Sequence, residues 1–280
     1  MPNEFVQVDA FTDRPFRGNP AAVCILNAPA EEEWMQDVAR EMNLSETAFC
    51  HPSTVVAGEW ELRWFTPGSE VDLCGHATLA TAHVLATEHG STDTMGFHTR
   101  SGRLSATVGE NGDITLDFPV DELVPVDVTA EMGAALGVEV LAAAYGRTDL
   151  LLEAGADADV RSCIPDLGAV SALAERGVIL TARNEREGFA VVSRVFAPNV
   201  AIPEDPVTGS AHTTLAVWWV PRLGSAAFRA EQASQRGGEL EVELVGDRVR
   251  ITGRAVTGVR GTLLPRRACS QRGTQRRCDG

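Results

Sequence analysis

Residues 64–85 read WFTPGSEVDLCGHATLATAHVL, and residues 195–220 read VFAPNVAIPEDPVTGSAHTTLAVWWV. Both place Phe-x-Pro before an acidic loop, and in both Gly-x-Ala then opens an apolar stretch containing Thr-Leu-Ala. The offset is 131 between Phe65 and Phe196 and 134 between Gly75 and Gly209. The segments downstream of both motifs repeat as well. SGRLSATVGENGDITLDFP (101–119) aligns with GGELEVELVGDRVRITG (237–253), Leu104 against Leu240 and Gly112-Asp113 against Gly246-Asp247. Such a period implies two copies of one folding unit.

Each copy reads as strand, loop, buried helix and β-hairpin, the hairpins marked by alternating apolar residues around turns of Gly, Asn and Asp. The helices after Gly75 and Gly209 are apolar nearly all round, as expected of helices inside their own halves. The first should end near His89-Gly90, where Gly is a natural cap, and the second should be stopped by Pro221. A surface helix is expected at 30–41, acidic in its first turn, and another at 129–136. The boundary falls near Pro119–Pro125, giving an N-terminal repeat domain 1–121 and a C-terminal one 122–265. Residues 266–280, with five Arg and one Asp, read as a basic, disordered appendage.

Composition removes several chemistries. All 24 basic residues are Arg. Without Lys there is no internal Schiff base to pyridoxal phosphate, no amine nucleophile, and neither a Walker loop nor a protein-kinase site. A net charge of −15 and a pI near 4.8 disfavour nucleic acid as a partner. No apolar run reaches the roughly 20 residues of a membrane span, and the start has no signal-peptide form. Six Cys without a CxxC pair read as reduced thiols of a cytoplasmic protein. A local pocket can still take a small anion against the global field.

Two buried helices in a duplicated fold suggest a cleft into which both N-termini point, with free backbone N–H groups suited to a carboxylate. Gly75-His76-Ala77 and Gly209-Ser210-Ala211 are the two helix starts. Three titratable residues join them: Glu46 in NLSETAFC, His76 at the first start, and Asp205 in PEDPVTGS before the second. A carboxylate drawn into a closed cleft has its pKa raised and becomes an acid/base near neutrality. Taken singly, the same residues are also what a solvated loop Glu and ordinary helix caps would look like.

Four segments carry a family resemblance: VDAFTDRPFRGNPAAVCIL (8–26), NLSETAFC (43–50), FTPGSEVDLCGHATLATAHVL (65–85) and FAPNVAIPEDPVTGSAHTTLA (196–216). The chain resembles the phenazine-biosynthesis PhzF-like isomerases, relatives of diaminopimelate epimerase and proline racemase. The resemblance implies an α+β fold of two similar halves. Each would be a curved mixed sheet or barrel around a central helix, with the active site between the halves. It also implies a cofactor-free reaction, commonly in a homodimer, in which a Glu moves a proton along an unsaturated cyclic amino acid. Carried over residue by residue, it makes Glu46, Asp205 and His76 catalytic. Gly75, Gly209 and Ser210 become substrate-binding, and Ala77 and Asn19 are further candidates for substrate binding.

The two-thiol epimerases of that superfamily need a Cys at each helix start. Here Cys74 precedes the first, whereas Thr208 and Ser210 stand at the second and no Cys occurs between Cys163 and Cys269. Cys74 is thus a secondary candidate, with core packing as its plainer role. Metal ligation by Cys74, His76 and His212 is chemically conceivable, but no ligand spacing calls for it, and neither metal nor other cofactor is expected. The expected function is isomerisation of a small, cyclic and unsaturated amino or hydroxy carboxylic acid. An epimerase with Cys74 and Glu46 as opposed bases and a non-catalytic ligand-binding protein on the same fold are the alternatives.

Overall fold

The computed structural model describes residues 3–91 and 94–264, so the stretch read as a basic tail lies outside the described residues. In the first half β1 (Asn3–Ala10) is antiparallel to β2 (Asn19–Ile25), and α1 (Glu32–Met42) crosses to β3 (Glu46–Pro52), parallel to β2. β4 (Trp60–Phe65) returns antiparallel and folds back into β5 (Glu70–Val71). α2 (Gly75–Glu88) then crosses to β6 (Met95–Thr99), parallel to β4. The hairpin of β7 (Gly102–Val108) and β8 (Ile114–Pro119) comes next.

The second half opens with β9 (Val124–Val126) and α3 (Ala130–Leu136) and then repeats the pattern. β10 (Val140–Tyr145) is antiparallel to β11 (Asp149–Ala154), and α4 (Asp157–Ser162) and α5 (Leu167–Ser171) lead to the parallel β12 (Gly177–Arg183). β13 (Val191–Ala197) and β14 (Ile202–Asp205) return antiparallel. α6 (Gly209–Leu223) crosses to β15 (Ala227–Gln232), parallel to β13, and the hairpin of β16 (Gly238–Val245) and β17 (Arg248–Gly253) closes the unit. The duplication read from two motifs thus extends to the sense of every strand pairing.

Burial follows the pairing. β11 and β12, parallel and covered on both faces, are buried almost without interruption, as parallel strands require. The hairpin strand β16 alternates buried and exposed because only one face meets the core. α2 is buried at Gly75 through Ala82 and again at Val84 and Leu85; α6 buries Gly209, Ala211 through Ala216, Trp218 and Trp219. One apolar core surrounds both helices, with smaller clusters under α1 and under α3 to α5.

Two expectations change. Pro221 does not stop α6: it sits in the final turn, where its missing N–H forfeits a single bond, and the helix continues to Leu223. The stop is Gly224 in the left-handed conformation, its N–H bonded to the Val220 carbonyl. The chain also does not divide cleanly at residue 121. β18 (Ala255–Leu263) comes after the second hairpin yet lies antiparallel along the whole of β1, while β9, which comes after the first hairpin, lies on β10. Each half therefore takes its closing strand from beyond the other's hairpin. The hairpins themselves meet, β8 against β17 with Phe118 opposite Val249.

Candidate active site

The fold brings α2 and α6 together head to head. A Cβ added at Gly75 would lie 3.5 Å from the Gly209 Cα, and one at Gly209 would lie 3.5 Å from the Gly75 Cα. Either added carbon alone would make an ordinary contact, and two would share the one gap between the helix N-termini. The residues before them, Cys74 and Thr208, are extended, and no side-chain oxygen caps either helix. Ser210, which could have been a cap, is the second residue of α6 and accepts a hydrogen bond from Arg176 Nη2 at 3.2 Å.

Around this junction the structure assembles residues from both halves. Asn19, the first residue of β2, donates from Nδ2 to Asp205 Oδ1 and to the Val207 carbonyl, each at 2.8 Å. Asp205 closes β14, and its other oxygen accepts from the Thr208 hydroxyl. Gln232 braces the turn, taking the Thr208 N–H on Oε1 and donating from Nε2 to the Asp205 carbonyl, both at 2.8 Å. Glu46 opens β3, parallel to β2 with Ala21 as its partner, and is thereby set beside Asn19's end of the sheet. His76 stands between Cys74 and Glu46: Nδ1 is 3.4 Å from the Cys74 sulfur, and Nε2 is 3.3 Å from Glu46 Oε2.

Burial sets the charges. The Glu46 side chain is 12% exposed. Loss of solvent, then the nearby Asp205, push its pKa up to about 8, against a smaller opposing pull from Cys74 and Arg176. Asp205 is raised to about 6, burial outweighing its bonds to Thr208 and Asn19. Burial depresses His76 to about 3 and His212 to about 4, so both are neutral near pH 7. Burial first, then Glu46, drives the Cys74 thiol well above its ordinary value, although the Ala77 N–H favours the thiolate. Near neutrality the site therefore holds a protonated Glu46 beside an ionised Asp205.

Several buried polar atoms here make no well-formed hydrogen bond: Asn19 Oδ1, Glu46 Oε2 and His76 Nε2, the last two 3.3 Å apart. Buried polar groups are nearly always paired, and a group of unpaired ones on neighbouring residues marks a place made for a ligand. The donor atoms of Glu46, Cys74 and His76 lie within 4.8 Å of one another, close enough to share a small cation. Ligation there would have to release the thiol and carboxyl protons that burial favours at Cys74 and Glu46. His212, weighed from the sequence beside Cys74 and His76, is not in this group, and its Nδ1 is 2.8 Å from the Thr208 carbonyl.

All the residues singled out from sequence, Asn19, Glu46, Cys74, Gly75, His76, Ala77, Asp205, Gly209 and Ser210, thus come from segments that meet at this junction. Ala77 is fully buried behind the helix start and contributes only backbone. Sequence reasoning missed Arg176 and Asp149. Asp149 Oδ1 takes the Arg176 Nε–H at 2.7 Å and its second oxygen takes Nη2. Both lie in the stretch 126–176, which carries no motif; the available signal was a charge at the start of each of two apolar runs, DLLLEA and RGVILTA.

Comparison with known proteins agrees with this architecture. The PhzC-PhzF family profile, described as phenazine biosynthesis-like protein, matches residues 8–261. An uncharacterized isomerase of Halalkalibacterium halodurans is 44% identical over 261 residues, covering 92% of this chain and 97% of that one. The crystal structure of a PhzF-family phenazine biosynthesis protein from Enterococcus faecalis superposes with a TM-score of 0.89 at 41% identity, covering 95% of this chain and 100% of that one. The fold alone is shared with a probable proline racemase from Agrobacterium radiobacter: TM-score 0.59 and 14% identity over 94% of this chain and 93% of that one. With the profile spanning nearly the whole chain and close relatives bearing the name, the chain belongs to the PhzC-PhzF family of phenazine biosynthesis-like proteins, and its enzyme class is isomerase.

Proposed function

We propose that this isomerase moves a proton on a small, cyclic, unsaturated amino or hydroxy carboxylic acid, without a cofactor, using Glu46 as the general acid/base. The observation that carries the reading is the buried carboxyl of Glu46, raised to about 8, whose Oε2 makes no well-formed hydrogen bond and lies 3.3 Å from His76 Nε2. A carboxyl with a pKa near the working pH both accepts and returns a proton, which migration along a conjugated system demands. The backbone N–H groups that open α2 and α6 at Gly75-His76 and Gly209-Ser210 receive the substrate carboxylate. Neutral His76 and ionised Asp205, the latter fixed by Asn19 and Thr208, orient the amino or hydroxyl group of the ring.

The geometry speaks against Cys74 and Glu46 as opposed bases. Bases on opposite faces of one carbon need that carbon between them, each within roughly 3 Å, hence about 6 Å apart. Here the sulfur and a Glu46 oxygen are within 4.8 Å and both flank His76. The test is exchange with solvent deuterium in a panel of cyclic amino acids, followed by NMR. Glu46→Gln is expected to lose at least about a thousandfold in exchange rate while folding normally. Undiminished exchange in that variant would remove Glu46 from the chemistry. Inversion at an α-carbon without double-bond movement would favour an epimerase. A homodimer in the cytoplasm is the assembly and location this reading assumes.

A further inference from the structure

The site as described has no cation of its own among the residues that the substrate would touch. His76 and His212 are neutral near pH 7, and Asp205 is ionised. A substrate carboxylate placed at the two helix starts would meet like charge, opposed only by backbone dipoles. Arg176 supplies what is missing. It stands one residue before β12, its N–H bonded to the Thr148 carbonyl at 3.2 Å, at the end of the sheet where Asp149 begins β11. Its charge acts on both Glu46 and Asp205, and Asp121, bonded to Thr214 of α6, acts on it in turn.

The hydrogen bonds fix what Arg176 does. Nε and one Nη2 hydrogen are held by the two oxygens of Asp149, whose side chain is only 4% exposed. The other Nη2 hydrogen goes to Ser210 Oγ. An oxygen that accepts from a guanidinium is left with its own O–H to donate, and polarisation by the cation makes that O–H a stronger donor. Asp149 meanwhile keeps the guanidinium from collapsing onto Asp205 or Glu46, which would neutralise both. Nη1 takes part in none of these bonds. A Lys could not hold a fork to Asp149 and a bond to Ser210 in the same way.

We propose that Arg176, clamped by Asp149, is the positioning residue of a carboxylate seat at the start of α6, aiming the Ser210 hydroxyl at the anion and supplying the charge that selects a carboxylate over a neutral amide. The inference rests on the carboxylate being bound at these helix starts, as proposed above, but not on Glu46 catalysis. The test compares binding of 2-aminobenzoate with that of 2-aminobenzamide, by calorimetry, to the full-length protein and its variants. The wild type is expected to prefer the anion. Arg176→Met should weaken 2-aminobenzoate binding by about tenfold to a hundredfold, the worth of one charge-assisted bond, and leave the amide unchanged. Ser210→Ala, which keeps the ion pair, should lose part of the same preference, and Arg176→Lys should restore some of it. A wild type that does not prefer the anion, or an Arg176→Met protein that loses both ligands equally, overturns the proposal. Undiminished proton exchange in Glu46→Gln would indict the acid/base assignment while leaving this seat intact, since the seat is read from binding at Arg176 and Ser210 alone.

Discussion

Replacing Glu46 by Gln should make the protein more stable, and increasingly so as the pH rises. An ordinary glutamic acid ionises near 4.5, whereas burial and Asp205 hold Glu46 at about 8. The folded state therefore keeps a proton that the unfolded chain gives up. For a carboxyl raised on folding, stability is greatest below the unfolded value and is lost as pH rises toward the folded one. Linkage puts that loss at roughly 2 kcal/mol by about pH 6 and roughly 5 kcal/mol by about pH 9. Gln keeps the shape of the neutral acid and carries no such loss. The stability gap between Glu46→Gln and wild type should accordingly widen by about 3 kcal/mol between these two pH values. The repulsion between Asp205 and Glu46 is already part of the rise of Glu46, and His76, depressed to about 3, does not titrate between these two pH values. Urea unfolding of both proteins at each pH, extrapolated to water, measures the gap without any substrate. Parallel pH profiles would show that Glu46 ionises normally and would refute the physical basis of the proton shuttle.

Two further outcomes are expected. Cys74→Ala removes a hydrogen bond that favours ionised Glu46, so the pH at which Glu46 ionises should rise above about 8 while proton exchange continues; complete loss of exchange would put the sulfur in the chemistry. Gly75→Ala and Gly209→Ala each place a methyl 3.5 Å from the facing Cα, an ordinary contact, but together they put two methyls into one gap. The double variant should lose at least about 1 kcal/mol beyond the sum of the singles in urea unfolding, and additivity would mean the helix starts can part freely.

Much of the fold was legible because it is stated twice. Gly75 and Gly209 stand at equivalent points, and the hairpins around Gly112-Asp113 and Gly246-Asp247 fixed where each unit ends. His76 and Asp205 stood out as candidates because each sits beside a repeated motif, and Glu46 because its NLSETAFC segment carries the family resemblance. Arg176 and Asp149 did not, because their meaning depends on two parallel strands starting side by side, and register between strands distant in sequence leaves no local mark. The exchange of β9 and β18 was hidden for a related reason. A short strand after a hairpin shows that it will pair, but its apolar pattern does not say with which half. Pro221 misled because the penalty of a proline depends on how many helical bonds remain beyond it, and in the last turn hardly any do.

The pairing of β1 with β18 also bears on how the chain is made. Ala10 of the first strand waits for Ala255, 245 positions later, before its outer edge is covered. At a synthesis rate of about 5–20 residues per second, the ribosome takes roughly 12–50 s to deliver that partner. For that interval the first half, complete in its own motifs, carries an unpaired edge of the kind that invites a foreign strand. The second half meets no such delay, because β9 is made before β10. Two copies of one architecture are thus born under different conditions: the later one can close on itself as it emerges, and the earlier one closes last.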